Sequence, residues 1–190
     1  MRAIPIEPRH LPNIISALRL VAVVPTIYLL VHEQFGWALF LFVLSGASDG
    51  LDGWLARHNG WHSRLGGILD PIADKALLIS CFLVLGVMGE LPLWLALAVI
   101  FRDLVILTGG VLYHYLIEDV VPAPTLVSKL NTLVQIVLIV AIIANAGPVP
   151  LPAPVTEALV WACLATTVVS GVMYVSIWGH MALRKGARQE

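Results

Sequence analysis

Asp49-Gly50-Leu51-Asp52-Gly53-Trp54-Leu55-Ala56-Arg57 is followed, eight residues later, by Gly66-Gly67-Ile68-Leu69-Asp70-Pro71-Ile72-Ala73-Asp74. As a pattern this is D-x-x-D-G-x-x-A-R-x8-G-x-x-x-D-x-x-x-D. Four carboxylates thus lie inside sequence apolar enough for a membrane, where even one ionisable side chain is costly and usually marks function. Four charges of one sign need cations to hold them together. The stretch therefore points to a metal site and to chemistry done at a membrane.

Composition agrees. Of 190 residues, 59% are hydrophobic and 12% charged, with a mean hydropathy of +0.91. A soluble domain carries about 25% charged residues, so the chain reads as a polytopic, all-α integral membrane protein. Cys81 and Cys163 both lie in apolar runs and read as small buried hydrophobes, without a disulfide framework. An apolar segment follows Arg2 and Arg9 as in a signal peptide. No small-residue cleavage site stands out and five more such segments follow, so it reads as a retained helix.

About 20 apolar residues cross a bilayer as a helix. On that ruler six transmembrane helices are expected, over 12–31, 36–57, 66–88, 92–116, 126–146 and 154–180. Turn and breaker residues separate them: His32-Glu33-Gln34, Gly89-Glu90-Leu91-Pro92 and Pro148 to Pro154 on one side, 57–64 and 118–124 on the other. No repeat or long linker appears, so residues 1–190 read as one membrane domain. All eleven Lys and Arg residues fall at or near one side. By the positive-inside rule both termini face the cytoplasm. Arg102 falls within the fourth segment and is a candidate intramembrane partner for the acids.

Depth ties the acids together. Asp49 lies eight residues before Arg57 and Asp74 eight residues after Gly66, so each is about 12 Å along its helix from the cytoplasmic end. The i,i+3 and i,i+4 spacings put each pair on one helix face. Two antiparallel helices can therefore pool four carboxylates in one site. Oxygen donors select hard cations such as Mg²⁺ or Mn²⁺, and four acids can bridge two ions. His58 and His62 read as interfacial rather than as ligands. Gly53 and Ala56 leave a bare helix face that a base or phosphate can approach, although small residues also serve close helix packing. Arg57 offers a fork suited to phosphate. Metal, arginine and small residues together read as a diphosphate site for phosphoryl transfer.

The pattern resembles the signature of the CDP-alcohol phosphotransferases, integral enzymes of six membrane helices that are usually homodimers. Asp49, Asp52, Gly53, Ala56, Arg57, Gly66, Asp70 and Asp74 match every fixed position. The resemblance implies a CMP-forming phosphatidyltransferase with a two-metal site of Mg²⁺ or Mn²⁺. It makes Asp49, Asp52 and Asp70 metal ligands, and Asp74 the general base that also contacts metal. Asp49, Asp52, Gly53, Ala56, Arg57 and Gly66 would bind the cytidine diphosphate of CDP-diacylglycerol.

Within that family, Leu11-Pro12-Asn13-Ile14-Ile15-Ser16-Ala17-Leu18-Arg19 is similar to the opening of both phosphatidylglycerophosphate synthases and eukaryotic-type cardiolipin synthases. Two later stretches lean toward cardiolipin synthase. Arg102-Asp103 stands where glycerophosphate-using relatives often have Arg-Glu, and Pro124-Thr125-Leu126-Val127-Ser128-Lys129-Leu130-Asn131-Thr132 resembles the cardiolipin synthase form, with Asn131 where the glycerophosphate enzymes tend to carry a second lysine. Glycerol 3-phosphate is nearly dianionic and should want more than one cation. Phosphatidylglycerol carries one negative charge and brings acyl chains whose burial supplies affinity. Phosphatidylglycerol is therefore the expected acceptor and glycerol 3-phosphate the alternative, with Arg102 and Lys129 as acceptor-binding candidates. Asn131→Lys should then raise glycerophosphate use.

A divalent-cation transporter is the rival from another class, opposed by Arg57 among the acids and by the lack of acids in the outer helix halves. A non-catalytic scaffold would leave the acids without purpose. The tryptophans fall mostly near segment ends, as interfacial anchors do, and the tail from Arg184 to Arg188 suits anionic lipid. A bacterial inner membrane, with the site on its cytoplasmic side, is the expected location. No nucleic-acid partner is expected.

Overall fold

The computed structural model describes the backbone of residues 11–59, 66–116 and 125–186, and side chains over 18–48, 75–109 and 125–177. The described residues form six helices: α1 (Leu11–Val31), α2 (Phe35–Asn59), α3 (Gly66–Met88), α4 (Leu93–Leu116), α5 (Leu126–Ala146) and α6 (Ala153–Gly186). These bounds follow the apolar segments closely, except that α6 runs on to Gly186. Its last turns, Ala182-Leu183-Arg184-Lys185, are good helix formers and hold no breaker.

Local chemistry ends each helix where the apolar run ends. After α1, the Gln34 N–H donates to the Leu29 carbonyl at 2.8 Å and the Glu33 N–H to Leu30 at 2.9 Å. That is a Schellman stop, with Glu33 in the left-handed region at φ 57. Gly89, at φ 85, turns the chain after α3, and Pro92 leads into α4. Thr125 caps α5, its hydroxyl accepting from the Ser128 N–H at 3.2 Å. After α5, a Cβ on Gly147 would stand 2.5 Å from the Phe35 Cβ. Only glycine allows that approach between the end of α5 and the start of α2.

The helices pack as a closed ring in the order α1, α3, α4, α6, α5, α2, with α3 also touching α5 across it. The apolar core, with Leu30, Ala38, Phe82, Leu85, Leu95 and Ile143 fully buried, lies toward the α1–α2, α3–α4 and α5–α6 turns. At Gly86 the α3 backbone comes close to α4, where an added Cβ would be 3.1 Å from Leu93 Cδ1. The other half of the bundle buries polar groups: Arg19, Ser45, Arg102, Asp103, Asn131, Gln135, Thr167 and Ser170.

Outside, the pattern is reversed. Val24, Trp37, Phe40, Phe101, Leu107 and Val172 are each more than half exposed. A water-soluble helix turns its apolar stripe inward and its polar face outward; this bundle does the opposite at many positions. Two described stretches, Leu126–Ala146 and Ala153–Ile177, are long and apolar enough to cross a bilayer by length and composition, and Leu18–Val31, Phe35–Ser48 and Lys75–Met88 are shorter apolar ones. Exposed Trp37 and Trp94 stand in the first turns of α2 and α4, and Trp94 meets Trp161 at 6.1 Å between ring centroids. That placement suits a membrane–water boundary.

Candidate functional site

The aspartate pattern occupies the last turns of α2 and the first turns of α3. The side chains of Asp49, Asp52, Gly53, Ala56, Arg57, Gly66, Asp70 and Asp74 lie outside the described residues, so their convergence stays a matter of sequence spacing. α2 and α3 are both neighbours of α1 and both touch α5. Their donor set is carboxylate only, which fits a hard divalent cation. Among the described residues no group of three or more metal-ligating side chains occurs.

One residue beyond Asp74, at Lys75, an ionic network begins. The Lys75 Nζ donates to Asp103 Oδ2 at 2.6 Å, joining α3 to α4. Arg102 Nη1 donates to Asp103 Oδ1 at 2.7 Å. Arg102 Nη2 reaches the Ser128 hydroxyl on α5 at 2.8 Å and the Ser170 hydroxyl on α6. The Tyr174 ring lies 5.9 Å from the guanidinium carbon, within cation–π range. One planar fork thus fastens three helices, a task suited to arginine and beyond a lysine. Arg102 and Asp103 are buried, and burying a charge is tolerable only with such pairing.

A cavity of about 510 Å³ opens beside the network, its polar wall formed by Lys75, Arg102, Asp103, Ser128, Thr132 and Tyr174. Aliphatic residues of α3 and α4, Ile79 and Leu107 among them, form its other wall. Most of the lining is hydrocarbon, with a small polar patch at the ionic network. It begins one residue beyond Asp74.

The two residues expected to face the acceptor separate here. Arg102 lines the cavity, but its guanidinium is already engaged, and the acid it pairs with among the described residues is Asp103. Lys129 is exposed on α5 and does not line the cavity. Asn131 is fully buried and its carboxamide oxygen accepts from the Thr166 and Thr167 hydroxyls at 2.9 and 3.0 Å. A lysine there would have to displace both bonds, so Asn131→Lys is not a clean test of charge. Sequence reasoning passed over Lys75, Ser128 and Ser170 as site residues. Their signal was modest: polar side chains at the site end of otherwise apolar helices.

The sequence profile of the CDP-alcohol phosphatidyltransferases matches residues 9–169. A "Cardiolipin synthase (CMP-forming)" of Streptomyces coelicolor is 41% identical over 103 residues, covering 51% of this chain and 48% of that protein. A rat (Rattus norvegicus) protein of the same name is 32% identical over 195 residues, covering 88% of this chain and 61% of its own length. A "Probable phosphatidylglycerophosphate synthase" of Mycobacterium tuberculosis is 34% identical over 179 residues, covering 88% of this chain and 80% of that protein. The chain thus spans about half to three-fifths of the two cardiolipin synthases. A profile match over most of its length, together with relatives above 30% identity, makes this chain a member of the CDP-alcohol phosphatidyltransferase family.

Proposed function

We propose that the chain is a CMP-forming transferase that moves the phosphatidyl group of CDP-diacylglycerol onto phosphatidylglycerol, giving cardiolipin. The observation that carries the acceptor half is the cavity beside Lys75, lined mostly by hydrocarbon with a small ionic patch at Lys75, Asp103 and Arg102. A lipid phosphodiester has that same division. Family membership and two relatives named as cardiolipin synthases support the donor half.

In this reading Asp49, Asp52 and Asp70 hold the divalent ions, with Asp74 also in contact. Bound Mg²⁺ or Mn²⁺ would neutralise the diphosphate and ease departure of CMP. Gly53 and Ala56 let the cytidine diphosphate lie against α2, Arg57 binds its phosphate, and Asp49, Asp52 and Gly66 complete that pocket. Asp74 takes the proton from the free glycerol hydroxyl of the acceptor. That oxygen forms a bond to the phosphorus esterified to diacylglycerol, the bond from that phosphorus to the CMP oxygen breaks, and CMP leaves with the electron pair. The apolar exterior supports embedding in a membrane; to this we add a single domain over residues 1–190 with six spans in a bacterial inner membrane, both termini and the site lying on the cytoplasmic side by the Lys and Arg distribution. A homodimer follows from the family resemblance.

Glycerol 3-phosphate as acceptor is the second reading, favoured by the extent of the match to the mycobacterial protein. Purified protein supplied with divalent metal, CDP-diacylglycerol and each acceptor separately tests both. Cardiolipin formed only from phosphatidylglycerol supports the first; phosphatidylglycerophosphate supports the second; no CMP with either overturns both acceptors and points to another alcohol or to a role other than transfer. Asp74→Asn should abolish CMP release while the protein still binds CDP-diacylglycerol in the presence of metal. Turnover near wild type would remove Asp74 as the base.

A further inference from the structure

We infer that Lys75 binds the phosphate of the acceptor; this rests on the transferase reading above and holds for either acceptor, because each carries a phosphate at one end of a glycerol. Among the described residues lining the cavity, the cations are Lys75 and Arg102. Arg102 has little to offer a ligand. Its side chain is 5% exposed, both terminal nitrogens are bonded within the bundle, and its Nε is buried. Lys75 is the reverse, with a side chain 37% exposed. An ammonium carries three N–H donors, and the partner that Lys75 has among the described residues is Asp103. The other donors are left for a ligand in the cavity that Lys75 lines.

Asp103 aims the ammonium rather than consuming it. One carboxylate oxygen accepts from Lys75 Nζ at 2.6 Å and the other from Arg102 Nη1 at 2.7 Å. Arg102 is tied in turn to Ser128 on α5 and Ser170 on α6. A free lysine loses much rotamer freedom on gripping a ligand; here the fold has already met part of that loss, so the ion pair acts as preorganisation. An ammonium between a carboxylate and a phosphate makes charge-assisted bonds to both. Place in the chain matters as well. Lys75 follows Asp74, the residue proposed to take the proton from the acceptor hydroxyl. In both acceptors that hydroxyl stands at the far end of the same glycerol from the phosphate. With its phosphate on Lys75, the acceptor has only that glycerol to span between anchor and base. Loss of the ammonium should therefore weaken the acceptor without weakening the donor.

Lys75→Gln, Lys75→Arg and Asp103→Asn test this through the KM for phosphatidylglycerol and for glycerol 3-phosphate, read with whichever of them wild type uses, beside the KM for CDP-diacylglycerol. In Lys75→Gln the acceptor KM should rise roughly tenfold or more, the scale of one charge-assisted hydrogen bond. The donor KM should stay within about twofold of wild type, because the lost contact is to the acceptor alone. Lys75→Arg keeps the charge and should recover most of the loss. Asp103→Asn breaks the same ion pair but leaves the ammonium, so its acceptor KM should rise less than that of Lys75→Gln. An unchanged acceptor KM in Lys75→Gln, an equal rise for donor and acceptor, or an equal rise in Asp103→Asn overturns the inference while the transferase reading stands. Wild type that releases no CMP with either acceptor overturns the inference together with that reading. If Lys75→Gln loses all turnover, calorimetric binding of the same acceptor to the detergent-solubilised, metal-loaded protein replaces KM. Binding weaker than wild type by roughly tenfold or more supports the inference, and binding equal to wild type overturns it.

Discussion

Arg102 shows what one side chain can carry when it is withdrawn from water. Its fork holds Asp103, Ser128 and Ser170 together, and hydrogen bonds to charged groups contribute about 1.5–3 kcal/mol each. Arg102→Lys keeps the charge, but one ammonium cannot reach the carboxylate and both hydroxyls. Its thermal midpoint in detergent should fall by several degrees, at about 2–4 °C per kcal/mol for a chain of this length. Ser170→Ala, which removes a single partner, should cost less. Equal midpoints for Arg102→Lys and wild type would deny the fork its role. The sequence marks Arg102 as unusual, since an arginine inside an apolar segment demands a partner. It does not say which. Successive helix residues point about 100° apart, so nothing in the pattern shows the guanidinium folding back to its own neighbour. Lys75 was hidden differently, because a lysine at the end of a span reads equally well as an orientation signal.

At the scale of the helices, the interplay of apolar runs with Pro and Gly was sufficient to find all six. Those signals are local, and local hydrogen bonds at Glu33, Thr125 and Gly147 complete them. Gln135 is the position where element and environment disagree. It is fully buried on α5, and neither its oxygen nor its nitrogen finds a hydrogen-bond partner among the described residues. It lies two turns from Ser128 on the same side of the helix, a spacing of about 10 Å. An unsatisfied buried polar group costs about 1–3 kcal/mol, so Gln135→Leu should raise the thermal midpoint by several degrees without lowering turnover. A lowered midpoint would mean that a bound water satisfies the carboxamide and that the pair together stabilises the bundle.

For the whole molecule, the apolar exterior implies a membrane and the Lys and Arg distribution predicts the sidedness within it. Cys81 and Cys163 are both buried, so the native chain offers a quiet background for labelling. Single cysteines placed at Glu33, Glu90 and Val149 should react with an impermeant thiol reagent from one side of the membrane. A cysteine at Arg188 should react from the other. Label at Glu33 and Arg188 from the same side would overturn the six-span arrangement. The number of helices is legible because hydropathy acts residue by residue, whereas sidedness rests on the Lys and Arg distribution and is what the labelling decides. The order of helices around the ring is not legible, since every apolar face can pack on every other and lipid favours none of them.

That order has a consequence in time. α1 meets α2 and α3 as they emerge, but the second neighbour of α2 is α5, and the seam between them is the close approach of Phe35 and Gly147. More than a hundred residues separate the two sides of that seam. During synthesis α2, with the first half of the aspartate pattern on its last turns, must therefore wait with one flank against lipid or insertion machinery. The last interior wall arrives with α5, whose buried Asn131 gains its partners only when Thr166 and Thr167 follow on α6. The ring around α2 is thus closed only by the final third of the chain, and until then the helix that carries half of the aspartate pattern has one flank without its neighbour.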